Sequence, residues 1–164
     1  MSLDSQERIF EILRHRGHLS ATGQRVVLGF MEQWGVDAFK AVIETHLVEE
    51  SKIAEILSEE FKLPRLMRVR ILNVDTEVFD FVPYESALEH LAFPFELKSD
   101  GTLRVVFADP SNPDRIKSME VVSGKKIAAY VGERSEIISA IQRHYPISKQ
   151  LPGLLSANCS ERGL

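Results

Sequence analysis

The chain has 164 residues, 44% of them hydrophobic and 27% charged, which is enough for one domain or two small ones with a packed core. Its formal charge of −4 lacks the basic balance of a general nucleic-acid binder, although a small pocket for a phosphorylated ligand remains compatible with it. The single cysteine, Cys159, excludes an intrachain disulfide and fits a reducing compartment, and no run approaches the ~18 apolar residues that span a bilayer. The polar, acidic start Met1 to Arg8 does not read as a signal peptide, so a cytoplasmic location is expected, with any membrane association made through a partner.

Hydrophobic period predicts helices over roughly the first 65 residues. Asp4 or Ser5 is placed to cap a helix carrying Ile9, Ile12 and Leu13, which Gly17 ends. Ser20 caps a second, with Val26, Val27, Phe30, Met31 and Trp34 on or near one face, and Gly35 closes it. Asp37 caps a short third helix bearing Phe39, Val42 and Ile43. A fourth runs from about Glu49 to Lys62, with Ile53, Ile56, Leu57 and Phe61 at helical spacing, until Pro64 breaks the pattern.

Beyond Pro64 the pattern mixes strands and helices. Tyr84 to Leu91 reads as a helix after Pro83. Phe93–Leu97 and Leu103–Ala108 are β-rich runs flanking Asp100-Gly101, a hairpin signal. Asp114 to Val122 is a helix stopped by Ser123-Gly124, and Ile127–Val131 is a third strand, parallel to the second through a right-handed crossover. Glu133 to Tyr145 is a helix with Ile137, Ile138 and Ile141 inward, and Pro146 ends the folded part. The expected fold is α+β. A four-helix subdomain, residues 1–64, precedes a small three-stranded mixed sheet packed with helices, residues 65–146, and 147–164 read as a flexible tail or linker.

Arg8-Ile9-Phe10 and Asp37-Ala38-Phe39 stand 29 residues apart, and from those points Leu13 matches Val42, Gly17 matches His46, Leu19 matches Val48 and Leu28 matches Leu57. The helical part therefore reads as two degenerate helix-hairpin repeats, although any pair of helical hairpins shares some of this rhythm.

Leu47-Val48-Glu49-Glu50 with Ile53, Leu57 and Phe61-Lys62-Leu63-Pro64 resembles the opening helix of the N-terminal domain of type II secretion and type IV pilus assembly ATPases. Asp75, Val78, Val82-Pro83, Ala87 and Phe93-Pro94-Phe95 are similar to the family's next segment. The strand Leu103-Arg104-Val105-Val106-Phe107 running into Ala108-Asp109-Pro110 is similar to that family's most recognisable segment, and Ser123 to Ile127 with Glu136 to Tyr145 completes the pattern. The resemblance covers about residues 36–145 and implies a docking and regulatory module with no catalysis and no cofactor, bound to a protein of a secretion or pilus apparatus at the inner membrane.

In related pilus ATPases this resemblance also implies cyclic di-GMP binding through two tandem motifs, each opening Arg-Leu-Gly, with a Gly after the first helix and a closing Gln, on the same 29-residue offset. Arg8, Ile9, Leu13, Gly17 and Leu19 fit or nearly fit the first motif. The Arg supplies a cation and a planar surface for phosphate or guanine, and the Gly allows close backbone approach. Phe10 stands where Gly is expected, and Met31 where Gln is. In the second unit Asp37-Ala38-Phe39 replaces Arg-Leu-Gly, His46 replaces Gly and Glu60 replaces Gln. Asp37 would repel a phosphate, so at most a half-site is expected.

The basic cluster Lys62, Arg65, Arg68 and Arg70 at the subdomain junction is the candidate surface for an acidic partner segment; otherwise it is a set of exposed linker charges. Glu49-Glu50 and Glu59-Glu60 read as a solvated helix face or capping charges. No phosphate-binding loop of the ATPase type occurs, and Ser123-Gly124-Lys125-Lys126 reads as a helix stop. His15 and His18 lack further ligands at metal spacing, and Cys159 lacks a base, so neither a metal site nor an enzyme is expected.

Overall fold

The computed structural model describes residues 3–150. Four helices come first: α1 Leu3–His15, α2 Ala21–Trp34, α3 Ala38–Glu44 and α4 Glu50–Phe61. Ser20 accepts a hydrogen bond from the Gly23 N–H through its Oγ, and Asp37 accepts from the Lys40 N–H through Oδ1, so both act as N-caps. Gly35 closes α2 in the left-handed region at φ 64°. α1 already contains Asp4 and Ser5, whose side chains lie outside the described residues.

The rest of the described chain is α5 Tyr84–His90, β1 Ala92–Leu97, β2 Leu103–Phe107, α6 Pro113–Ser123, β3 Ile127–Val131, α7 Arg134–His144 and α8 Ile147–Gln150. The fold is α+β with a mixed sheet of order β1-β2-β3: β1 and β2 are antiparallel around the Asp100-Gly101 turn, and β2 and β3 are parallel across α6. Two short 3-10 helices, Val69–Ile71 and Thr76–Asp80, had no counterpart in the hydrophobic pattern, because so few residues are too short a run to show a period.

One continuous core runs from the helices into the sheet. Ile9, Leu13, Val42, Ile53 and Leu57 join Val105, Phe107, Ile137 and Ile141 in it. Its aromatic centre is Phe79, with ring centroids 4.5 Å from Tyr145 and 5.8 Å from Phe93. The buried Tyr145 hydroxyl donates to the Val82 carbonyl, and burial raises its pKa. The link out of α4 is itself sheet-like: Arg65 bridges Val131 in parallel, with Leu66 N–H donating to the Val131 carbonyl and Val131 N–H to the Pro64 carbonyl. A Cβ on Gly132 would meet Val106 Cγ2 at 2.8 Å, so only glycine fits where β3 leaves this junction.

Three expectations change. On α2 only Gly23 and Val27 are buried, while Val26 and Trp34 are 51% and 62% exposed, because no element of the described chain covers that side. On α7 Ala140 takes the buried position expected of Ile138, which is half-buried. Pro146 does not end the ordered chain. α8 follows it, with Lys149 Nζ donating to the Phe79 carbonyl and pairing with Asp80, while Gln150 donates to the Gln142 carbonyl. The rest of the expected tail, and Cys159, lie outside the described residues.

Candidate functional site

The first hairpin presents a groove of about 690 Å³ formed by α1 and the end of α4. Arg8, Arg14 and His15 bring positive or titratable groups to it, and Glu11 and Glu60 oppose them. The Arg8 guanidinium lies over the Phe61 ring, 4.9 Å from its centroid, so its planar face is already supported by an aromatic surface. Arg16 crosses to α4 and pairs with Glu59 at 2.7 Å and Glu60 at 3.2 Å. Those glutamates, expected as a solvated face, hold the two hairpins together.

The other residues of the expected nucleotide motif stand behind this groove. Ile9, Leu13 and Leu19 are buried in the core, so they shape the α1 face from within. Gly17 sits at φ 73°, and nothing lies within 4 Å of where its Cβ would be, so its role in the fold is the left-handed turn. Its equivalent 29 residues on, His46, takes the same left-handed conformation at φ 53° with an imidazole in place of hydrogen. Asp37, at the position of Arg8, spends its carboxylate on capping α3.

The basic junction divides in two. Arg65 Nη2 pairs with Glu133 at 3.2 Å, and Arg70 Nε pairs with Glu136 at 3.3 Å, with the Arg70 N–H donating to the same carboxylate and its carbonyl contacting His144 Nε2. These two arginines fasten the linker to α7. Lys62 and Arg68 are exposed, left-handed (φ 52° and 55°) and in no ion pair among the described residues. Met67 and Ile71, 65% and 57% exposed, flank Arg68 with apolar surface.

The sequence reading missed the cross-links that fix this junction. Glu50 accepts from the Ser135 N–H at 2.7 Å and from its hydroxyl at 2.6 Å, capping the first turn of α7 from another helix. Arg134 reaches Glu44 at 3.9 Å. Contacts between residues 85 positions apart leave no local signature. The Ala108-Asp109-Pro110 segment is likewise a structural knot. Asp109 accepts from the Ser111 N–H and hydroxyl, and burial pushes its carboxyl pKa up against the opposing pull of Ser111 and Arg115. Arg115 in turn donates to the His90 carbonyl. No group of three or more candidate metal ligands occurs among the described residues, and no helix of the described chain is long and apolar enough to cross a membrane.

Similar proteins bear on what this arrangement serves. The chain is 27% identical over 138 residues to the type IV pilus assembly ATPase PilB of Myxococcus xanthus, covering 84% of this chain. It is 27% identical over 108 residues to PilB of Thermus thermophilus, covering 65% of this chain. It spans 24% and 12% of the lengths of those two relatives. Among solved structures, the N-terminal domain of XpsE superposes with a TM-score of 0.68 at 24% identity, covering 87% of this chain and 96% of that one. MshE with cdg gives a TM-score of 0.64 at 17% identity, covering 84% and 98%. These superpositions establish the shared fold. Residues 61–151 match the MshEN domain, more than half of the chain. The chain belongs to the MshEN domain family, that of the N-terminal domains of type II secretion and type IV pilus assembly ATPases.

Proposed function

We propose that this chain is a non-catalytic docking and regulatory domain of a secretion- or pilus-type ATPase, working in the cytoplasm and reaching the inner membrane through a protein partner. The observation that carries this reading is the junction surface. Lys62 and Arg68 stand exposed and in no ion pair among the described residues, with Met67 and Ile71 beside them, while Arg65 and Arg70 brace the backbone that presents them. Charge beside exposed apolar area on a braced segment suits recognition of an acidic, partly apolar segment. Titration with the cytoplasmic part of the cognate inner-membrane component tests it. Arg68→Glu is expected to weaken binding about tenfold or more, since it turns an attraction into a repulsion. Unchanged affinity in Arg68→Glu and Lys62→Glu together would remove the junction from the interface.

A second reading is favoured by the groove over α1: cyclic di-GMP, the ligand suggested by the structure of MshE with cdg, would meet Arg8 with its guanidinium already stacked on Phe61. Glu11 and Glu60 in that groove, and Asp37 in the second unit, work against a dianionic ligand and favour at most a half-site. Calorimetric titration with cyclic di-GMP separates the two readings. A saturable signal abolished by Arg8→Ala supports sensing, and no signal leaves docking.

A further inference from the structure

β1 is an edge strand, paired only with β2 among the described residues. Pro94 has no N–H and a register irregularity follows it, which blunts the first half of that edge but leaves Phe95–Leu97 open. Facing them runs the stretch between the two 3-10 turns, where Asn73 and Val74 make no main-chain hydrogen bond among the described residues. Between these two runs of unpaired backbone lies a cleft of about 440 Å³. Its apolar lining comes from Leu72, Val74, Phe95 and Leu97, all half-buried, over the buried Val78. Its rim is acidic: Asp75, Glu77 and Glu96. Glu96 is engaged by Arg104, whereas Asp75 and Glu77 are exposed and in no ion pair among the described residues.

We infer that this cleft receives an extended, basic segment of a partner protein, which adds a strand beside β1. Unpaired N–H and C=O groups on the edge supply the main-chain affinity, alternate side chains of the incoming strand meet the apolar lining, and the outward-facing ones meet Asp75 and Glu77. The charge selects the occupant. A second copy would bring the same acidic rim against itself, whereas lysines or arginines at every second position neutralise it. The surface lies apart from Arg68 and takes the opposite charge, so its failure and that of the junction reading are distinguishable.

The experiment is a fluorescence titration of a labelled peptide alternating lysine and valine, with a glutamate/valine peptide and a backbone N-methylated lysine/valine peptide as controls. Saturable binding of the first, loss with the second, and strong weakening with the third are expected. Asp75→Asn with Glu77→Gln is expected to weaken binding of the lysine peptide about five- to tenfold, with the circular dichroism unchanged, since two exposed charge pairs are lost. Equal binding of the acidic peptide, equal binding of the N-methylated peptide, no effect of the double variant, or no saturation would each overturn the inference. So would sedimentation showing a dimer that the peptide dissociates, which would make a second copy the occupant.

Discussion

The two helical hairpins, α1–α2 and α3–α4, follow one backbone plan but have different surroundings. α1 and α3 end 29 residues apart, at His15 and Glu44, and α2 and α4 begin 29 apart, at Ala21 and Glu50. The pairs Ile9 and Ala38, Phe10 and Phe39, Ile12 and Ala41, Leu13 and Val42, and Leu19 and Val48 are all buried. The outer helices then part company. Leu57 of α4 is fully buried, while its counterpart Leu28 on α2 is 42% exposed. Ile53 and Ala54 are buried where α2 has Gln24 and the exposed Arg25. α4 packs against β3 and caps α7, and nothing in the described chain does the same for α2. The backbone plan therefore comes from the inner helices, and what each outer helix does depends on what lies beyond it.

The sharpest way to break this comparison is to truncate the paired leucines. Leu57→Ala is expected to cost about 3 kcal/mol in a denaturant melt, whereas Leu28→Ala costs under about 0.5 kcal/mol, because only the first opens a cavity. Equal losses would mean that α2 is covered in solution after all. Next comes the cross-link. Glu50→Ala removes two charge-assisted hydrogen bonds from the start of α7 and is expected to cost about 1.5 kcal/mol, with early amide exchange in α7. The equivalent α2 residue, Ala21, has no such contact to lose, and a silent Glu50→Ala would uncouple the hairpin from the sheet.

The inner plan was legible because its signals are local. Ser20, Asp37, Gly17 and Gly35 mark helix ends by chemistry that acts within a few residues, and Asp100-Gly101 marks the hairpin in the same way. The parallel pairing of β2 and β3 agrees with the crossover rule applied to the helix between them. The outer arrangement was not legible. Whether Val26 and Trp34 are covered depends on a neighbour that periodicity cannot supply, and Glu50 and Ser135 meet only after folding. The candidate site divides along the same line. Arg8 was locatable as an exposed cation on a helix, but its stacking on Phe61 and the engagement of Arg65 and Arg70 by α7 are tertiary facts.

The caps offer a smaller and more symmetrical test. Ser20→Ala and Asp37→Ala each remove one side-chain acceptor from a helix start, and each is expected to cost about 1 kcal/mol. Similar losses would uphold the shared backbone plan. A loss confined to Asp37→Ala would indicate that only the hairpin fastened to the sheet contributes to the cooperative unit measured in the melt.

The smallest expected effect addresses the turn itself, at Gly17 and His46. Open space surrounds Gly17, so Gly17→Ala meets no clash and is charged only for the left-handed backbone, about 1 kcal/mol. His46→Gly runs the same exchange backwards with two opposing terms. Relief of the left-handed conformation returns about 1–2 kcal/mol, less for histidine than for a β-branched residue because histidine is enriched there. Glycine also loosens the unfolded chain, which takes back about 0.4–1 kcal/mol. A net gain of about 0.5 kcal/mol is expected, read as a small rise in denaturation midpoint with an unchanged slope. A loss instead would show that the His46 imidazole makes an interaction outweighing its backbone strain, and the second turn would then have been kept for its side chain.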